Sequence, residues 1–285
     1  MLIRHETTMK VHISADMEGI ATLSHDTQTE QKGLDYERMR RIMTDEVQAA
    51  IEGARKGGAE EILVCDAHDT GRNLIIELLD EDIEVIQGSP YELGMMSGIS
   101  KEFDASFQIG YHAMRHTHAG VLGHTYTYAI AALKMNGKLL GESGLGAVLA
   151  GHFGVPLVFA SGDAHAVNQA KSLVKNVVGV PTKKGVGIYG ARSLTPKKAQ
   201  ELIRKGAKEA MAKVKEIPPV TLKKPIEMEV EFVKPLMAEY ASKIPLVKRK
   251  DMKSVSYRGK DVLDVFRAFE VMMMVARAAR DEGEL

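Results

Sequence analysis

Short apolar segments recur through the first two thirds of this sequence, with amphipathic stretches between them, and several stop at a carboxylate or an imidazole. The first, "KVHISAD", alternates Val11, Ile13 and Ala15 with His12 and Ser14 before Asp16, Met17, Glu18 and Gly19 break the run. From Tyr36 to about Arg55 the residues Met39, Ile42, Met43, Val47, Ala50, Ile51 and Ala54 recur at spacings of three and four. That is one face of an amphipathic helix, which Gly57-Gly58 ends. "EILVCD", "IEVIQG", "ASFQIGYH" and "PLVFASGD" are short apolar runs suited to buried parallel strands. The alternation predicts an α/β fold: a mostly parallel central sheet with flanking helices.

Two stretches depart from that rhythm. The Asn136-Gly137 pair inside "YAIAALKMNGKLLGE" predicts an antiparallel hairpin. After Val180, "SLTPKKAQELIRKGAKEAM" opens a helix with Thr195 at the N-cap and Pro196 at the first helical position. A Lys/Pro-rich link, an alternating "IEMEVEF" and a closing helix, "DVLDVFRAFEVMMMVARAAR", follow. The expected organisation is an α/β core over residues 9–190 and a smaller C-terminal α+β portion over 191–285, packed on that core or on a neighbouring subunit.

Ligands of an open parallel sheet collect outside the carboxyl ends of its strands. The candidates there are Asp16 and Glu18, then Asp66, His68 and Asp69, then His112 with His116 and His118 beyond it, then His124, and Glu142 at a strand-to-helix turn. Asp16 and Glu18, two apart on an extended chain, point the same way. Two imidazoles and three carboxylates do not cluster without a cation, because carboxylates at short range cannot all ionise. They suffice for two divalent ions sharing one bridging carboxylate. Mixed nitrogen and oxygen donors favour Zn²⁺, with Mn²⁺ or Co²⁺ as alternatives.

Composition narrows the partners. Thirty-eight Lys and Arg balance 38 Asp and Glu, so no domain-wide positive field draws nucleic acid or an anionic membrane. No apolar run is long enough to span a bilayer, and the first ten residues lack the apolar core of a signal peptide. Cys65 stands alone, which excludes an internal disulfide and fits a cytoplasmic location. No G-x-S-x-G elbow and no Lys-Ser/Thr phosphate loop is present.

"SADMEG", "VCDAHDTGRNL", "GYHA" followed by "GVLGHTYT", and "GESGLGA" resemble, in order and spacing, the binuclear-zinc D-aminopeptidases of bacterial dipeptide-transport operons. The resemblance runs from about Lys10 to past Asp163. It implies hydrolysis of the N-terminal residue of short peptides, such as D-Ala-D-Ala, by a dimetal-activated water, with two Zn²⁺ per chain. By the same likeness Asp16 bridges the metals, Glu18 and His68 complete one site, and His112 and Glu142 complete the other. His124 matches the family's catalytic histidine. Ring-like homo-oligomers such as a decamer are also implied, and the apolar stripe "FRAFEVMMMVA" is larger than a small domain easily buries alone. Two other readings stay open: a dimetal hydrolase of another amide or ester, and a non-catalytic metal or small-molecule binding protein. A histidine beside the metals that is not a ligand favours catalysis.

Overall fold

The apolar runs become strands of two sheets in a computed structural model that describes residues 8–89 and 92–281. The chain begins with β1 (Lys10–Ala15), α1 (Tyr36–Lys56), β2 (Glu61–Asp66), β3 (Glu84–Ile86) and β4 (Ala105–Tyr111). It then leaves for a second sheet through β5 (Ile130–Met135) and β6 (Lys138–Leu139), joined by the Asn136-Gly137 turn. It returns with α2 (Glu142–His152), β7 (Leu157–Asp163), α3 (Ala164–Leu173), β8 (Val178–Gly187), β9 (Gly190–Ser193) and α4 (Pro196–Ala212). The remainder is β10 (Ile226–Phe232), α5 (Pro235–Ala241), β11 (Lys248–Arg249), β12 (Ser254–Gly259) and α6 (Val262–Asp281).

The first sheet has the order β3-β2-β1-β4-β7-β8-β9 and is parallel except for β9, which runs antiparallel to β8. The expected mostly parallel α/β architecture is therefore present. The chain steps from β1 outward to β2 and β3, then crosses to β4 on the other side. That reversal opens a crevice at the carboxyl ends of β1 and β4, where a ligand site belongs.

The second sheet, β11-β12-β10-β5-β6, is antiparallel throughout. The sheets do not divide the chain near residue 190. Residues 130–139 join the C-terminal strands, while β9 and α4 belong with the first sheet, α4 packing on α1. Antiparallel pairing lets the Asn-Gly hairpin add β5 directly to β10, a non-local match that no local pattern encodes.

Helix α2 is apolar on every side and, after Glu142, buried from Ser143 to Gly151, packed against both β4 and α6. The apolar stripe of α6 is largely used inside the chain. Phe266, Phe269, Met272 and Ala276 lie in the second core, and only Val271 and Met274 of the stripe stand exposed. Thr195 occupies the N-cap position of α4, but its side chain makes no capping hydrogen bond. No helix of the described residues is long and apolar enough to cross a membrane.

Candidate metal centre

Two glycines let the ends of β1 and β4 close on each other. A Cβ on Gly19 would lie 1.9 Å from the carbonyl oxygen of Tyr111. One on Gly110, whose φ is +71°, would lie 2.2 Å from that of Asp16. The backbones pair through Asp16 N to Ile109 O (2.8 Å) and Gly19 N to Gly110 O (2.7 Å). Asp16 and Glu18 thus leave β1 beside His112, the residue that follows β4.

His68 comes from the turn after β2. Asp66 closes that turn by accepting hydrogen bonds from the backbone N–H groups of Asn73 (2.6 Å) and Leu74 (2.8 Å) and from Asn73 Nδ2 (2.8 Å). Asn73 Nδ2 also donates to the carbonyl of His68 at 2.6 Å. Asp66 orders the turn that carries the imidazole and stands in none of the candidate ligand groups. Glu142 is the first residue of α2, whose start is fastened to β4 by Gln108 Nε2 donating to Ser143 O (2.9 Å) and Ser143 Oγ donating to Gln108 Oε1. Asp69, His116 and His118 are exposed.

Asp16, Glu18 and His68 form one triad; Asp16, His112 and Glu142 form a second. In each, the potential ligand atoms lie within 4.8 Å of one another, and Asp16 belongs to both. His68 Nδ1 lies 2.9 Å from Glu18 Oε2 and 3.5 Å from Asp16 Oδ1. His112 Nε2 lies 3.1 Å from Glu142 Oε1 and 3.6 Å from Asp16 Oδ2. His124 stacks on His112 with ring centroids 4.0 Å apart. Its Nε2 is farther out, 3.6 Å from Glu142 Oε1 and 3.9 Å from Glu18 Oε1, and it forms a third group with Glu18 and His112. All five residues expected as ligands, and His124, therefore meet in one place.

The donor set fits a metal. Asp16 Oδ2, Glu18 Oε2 and His112 Nε2 are buried without a hydrogen-bond partner. The nitrogens and oxygens stand close but are not aligned as donor to acceptor. Each imidazole is anchored through its other nitrogen: His112 Nδ1 to Ala113 O (2.9 Å), His124 Nδ1 to Leu122 O (2.8 Å), and His68 Nε2 to Thr29 O (3.4 Å). Those carbonyls assign the ring protons and leave His68 Nδ1 and His112 Nε2 facing the carboxylates, the support a ligating imidazole usually has.

Charge points the same way. Burial, with Glu18 beside it, lifts the Asp16 carboxyl above the usual range. Burial acts against charge on Glu18 and Glu142 too, but His68 outweighs it at Glu18 and His112 at Glu142, so both carboxyls stay low. Burial would neutralise His68 and His112; Glu18 holds His68 well above its ordinary value, and Glu142 lifts His112 to about 10. The carboxylates thus favour two positive charges, one on each side of Asp16, which protons or two cations can supply. His124 differs: burial, then the neighbouring His112, push its imidazole below its ordinary value, which favours the neutral form.

Residues 9–271 match the family model described as D-aminopeptidase, peptidase family M55. The chain belongs to the D-aminopeptidase family. It is a peptide hydrolase, and the likeness expected from the motifs is borne out. The chain is 32% identical over 269 residues to the D-aminopeptidase of Bacillus subtilis strain 168, covering 94% of this chain and 98% of that protein. It also superposes, with a TM-score of 0.92 and 31% identity, on the Zn-dependent D-aminopeptidase DppA from Bacillus subtilis, described as a self-compartmentalizing protease. That match covers 94% of this chain and 98% of the other.

What sequence reading missed in this D-aminopeptidase-family site is its support. Gln108, Asn73, Glu46, Thr182 and Lys183 are buried polar side chains with none of the spacing that marks ligands. The one available signal is a polar residue inside an apolar run, as Gln108 is in "ASFQIGY".

Proposed function

We propose that this chain is a zinc-dependent aminopeptidase that removes the N-terminal D-residue from short peptides such as D-Ala-D-Ala. The observation that carries the reading is the pair of buried triads sharing Asp16. Asp16 would bridge two Zn²⁺ ions, Glu18 and His68 would complete one site, and His112 and Glu142 the other. Bound zinc supplies a Lewis acid that polarises the scissile carbonyl and brings the pKa of a water toward neutrality.

The protein's own groups do the rest. The Nδ1 proton of His124 is committed to Leu122 O, which leaves Nε2 as the free basic atom on the side of Glu18 and Glu142. With its neutral form favoured, Nε2 accepts a proton from the attacking water and returns it to the departing amine. Stacking on His112 fixes the ring plane, and the half-exposed ring of Tyr128 lies tilted against it with centroids 4.9 Å apart. The third group, with Glu18 and His112, favours a second reading of His124 as a ligand.

The relative's description as self-compartmentalizing supports a homo-oligomer for this chain; a decamer is the size that the motif resemblance implies. The exposed Val271 and Met274 of α6 supply apolar surface for contacts made by the C-terminal portion. Light scattering giving a monomer mass at micromolar concentration contradicts that assembly. Release of amino acid from D-Ala-D-Ala and from L-Ala-L-Ala by zinc-loaded protein tests the activity. Hydrolysis of the D-dipeptide alone is expected; turnover of neither dipeptide overturns the reading.

A further inference from the structure

Beyond the ligand triads, one buried cation has no evident task. Lys183, on β8, is 2% exposed. Ordering so long a side chain costs rotamer entropy, and burying an ammonium costs more unless hydrogen bonds replace its water. Lys183 forms no ion pair with a carboxylate among the described residues. Its Nζ donates instead to two backbone carbonyls, those of Glu18 and of Leu23 (2.7 Å). These are the two ends of the segment that leaves β1.

Neighbouring groups hold the interior of the same segment. Thr182 Oγ1 lies 2.9 Å from Gly19 O and 3.2 Å from Gly162 O, linking the segment to the end of β7. Glu46, on α1, accepts from Ala21 N–H at 2.8 Å, and Ser193 Oγ accepts from Thr22 N–H at 2.7 Å. The Glu18 carboxylate is thus mounted on a backbone gripped from α1, β8 and β9. Of these side chains Lys183 is the one that reaches both ends, and the one that donates to the carbonyl of Glu18 itself.

We propose that Lys183 is a positioning residue that fixes Glu18 for metal binding by clamping the carbonyls of Glu18 and Leu23. The inference rests on Glu18 being a ligand, as read above. Groups that orient metal ligands without touching the metal typically change affinity about 10- to 100-fold when removed. Lys183→Met keeps the length and apolar stem of the side chain and removes only the donors. It should weaken zinc about 10- to 100-fold at the Glu18–His68 site and leave the His112–Glu142 site unchanged. Thr182→Val, which loses one weaker tie to the same segment, should shift the same site in the same direction by less.

The experiment is chelator-competition titration of zinc, together with cobalt(II) absorption spectra, on wild type, Lys183→Met, Thr182→Val and Glu18→Ala. Thermal unfolding of each metal-free protein accompanies it. Selective loss at one site, with an altered cobalt spectrum, supports the clamp. Wild-type affinity at both sites in Lys183→Met, or equal weakening of both, overturns it. If Lys183→Met does not fold, Thr182→Val decides alone, and wild-type affinity and spectrum there overturn the clamp. Retention of both ions by Glu18→Ala is a different failure, since it removes Glu18 from the ligand set.

Discussion

The carboxyl end of the seven-stranded sheet and the interior of the five-stranded sheet are buried equally deeply but from opposite materials. At the first, Asp16, Glu18, His68, His112 and Glu142 are between 2% and 7% exposed. In the second, Phe232, Phe266, Phe269, Met228 and Met272 pack together. Among the described residues of β5, β6, α5, α6 and β10 to β12, Ser254 is the one buried polar side chain. Each ion taken out of water costs several kcal/mol unless it is compensated. The apolar core stabilises; the polar cluster works at the expense of stability. Substitutions should separate the two.

The largest effect is expected at His124. His124→Ala should lower kcat roughly 100- to 10,000-fold. KM, metal content and melting temperature should stay near wild type, because a proton carrier matters only as charge develops. Metal analysis, unfolding and kinetics on one preparation check this. Loss of an ion makes His124 a ligand, and normal turnover removes it from the chemistry.

The converse substitution lies in the apolar core. Phe269→Ala deletes a fully buried ring of α6 and should cost about 3–5 kcal/mol of stability. Denaturant unfolding of metal-free protein reads that loss, while zinc stoichiometry at low temperature should not change. A drop in metal content without a drop in stability would mean the two regions are not separable.

A smaller effect sharpens the comparison inside the first sheet, where one buried histidine has no metal role. His12 is fully buried on β1, its Nε2 at 2.9 Å from Ser97 O, and burial pushes it down to about 4 from an ordinary 6.5. The unfolded chain therefore binds a proton between those values that the folded chain refuses. Stability from this group is complete above pH 6.5 and falls as pH drops toward 4, by about 3 kcal/mol in all. His12→Leu should show a flatter decline over that interval than wild type, both measured without metal. Parallel curves would contradict the assignment.

How much of this was legible depended on the range of the interaction. β1, β2, β4 and β7 could be read because each is a short apolar run buried by its own composition. Asp16, Glu18, His68 and His112 could be read because parallel strands carry their functional groups at one end; His124 and Glu142, which follow no parallel strand, were legible through the motifs "GVLGHTYT" and "GESGLGA". The union of β5 with β10 could not, since it joins residues about a hundred positions apart through a register that neither strand announces. Nor could Lys183. In "VPTKKGVG" it looks like any solvated lysine, and its role exists only because the segment after β1 folds over it. The stripe of α6 was legible as apolar, but its partner proved to be mostly this chain's own second sheet.

Asp16 belongs to both triads and is the proposed bridge between two ions, and metal content tests that role most directly. Protein purified without chelator and supplemented with zinc should hold close to two ions per chain. Asp16→Ala should lose both, because a shared ligand has no substitute, whereas Glu18→Ala or His68→Ala should lose mainly one. Asp16→Ala that keeps two ions and full activity would contradict the shared site.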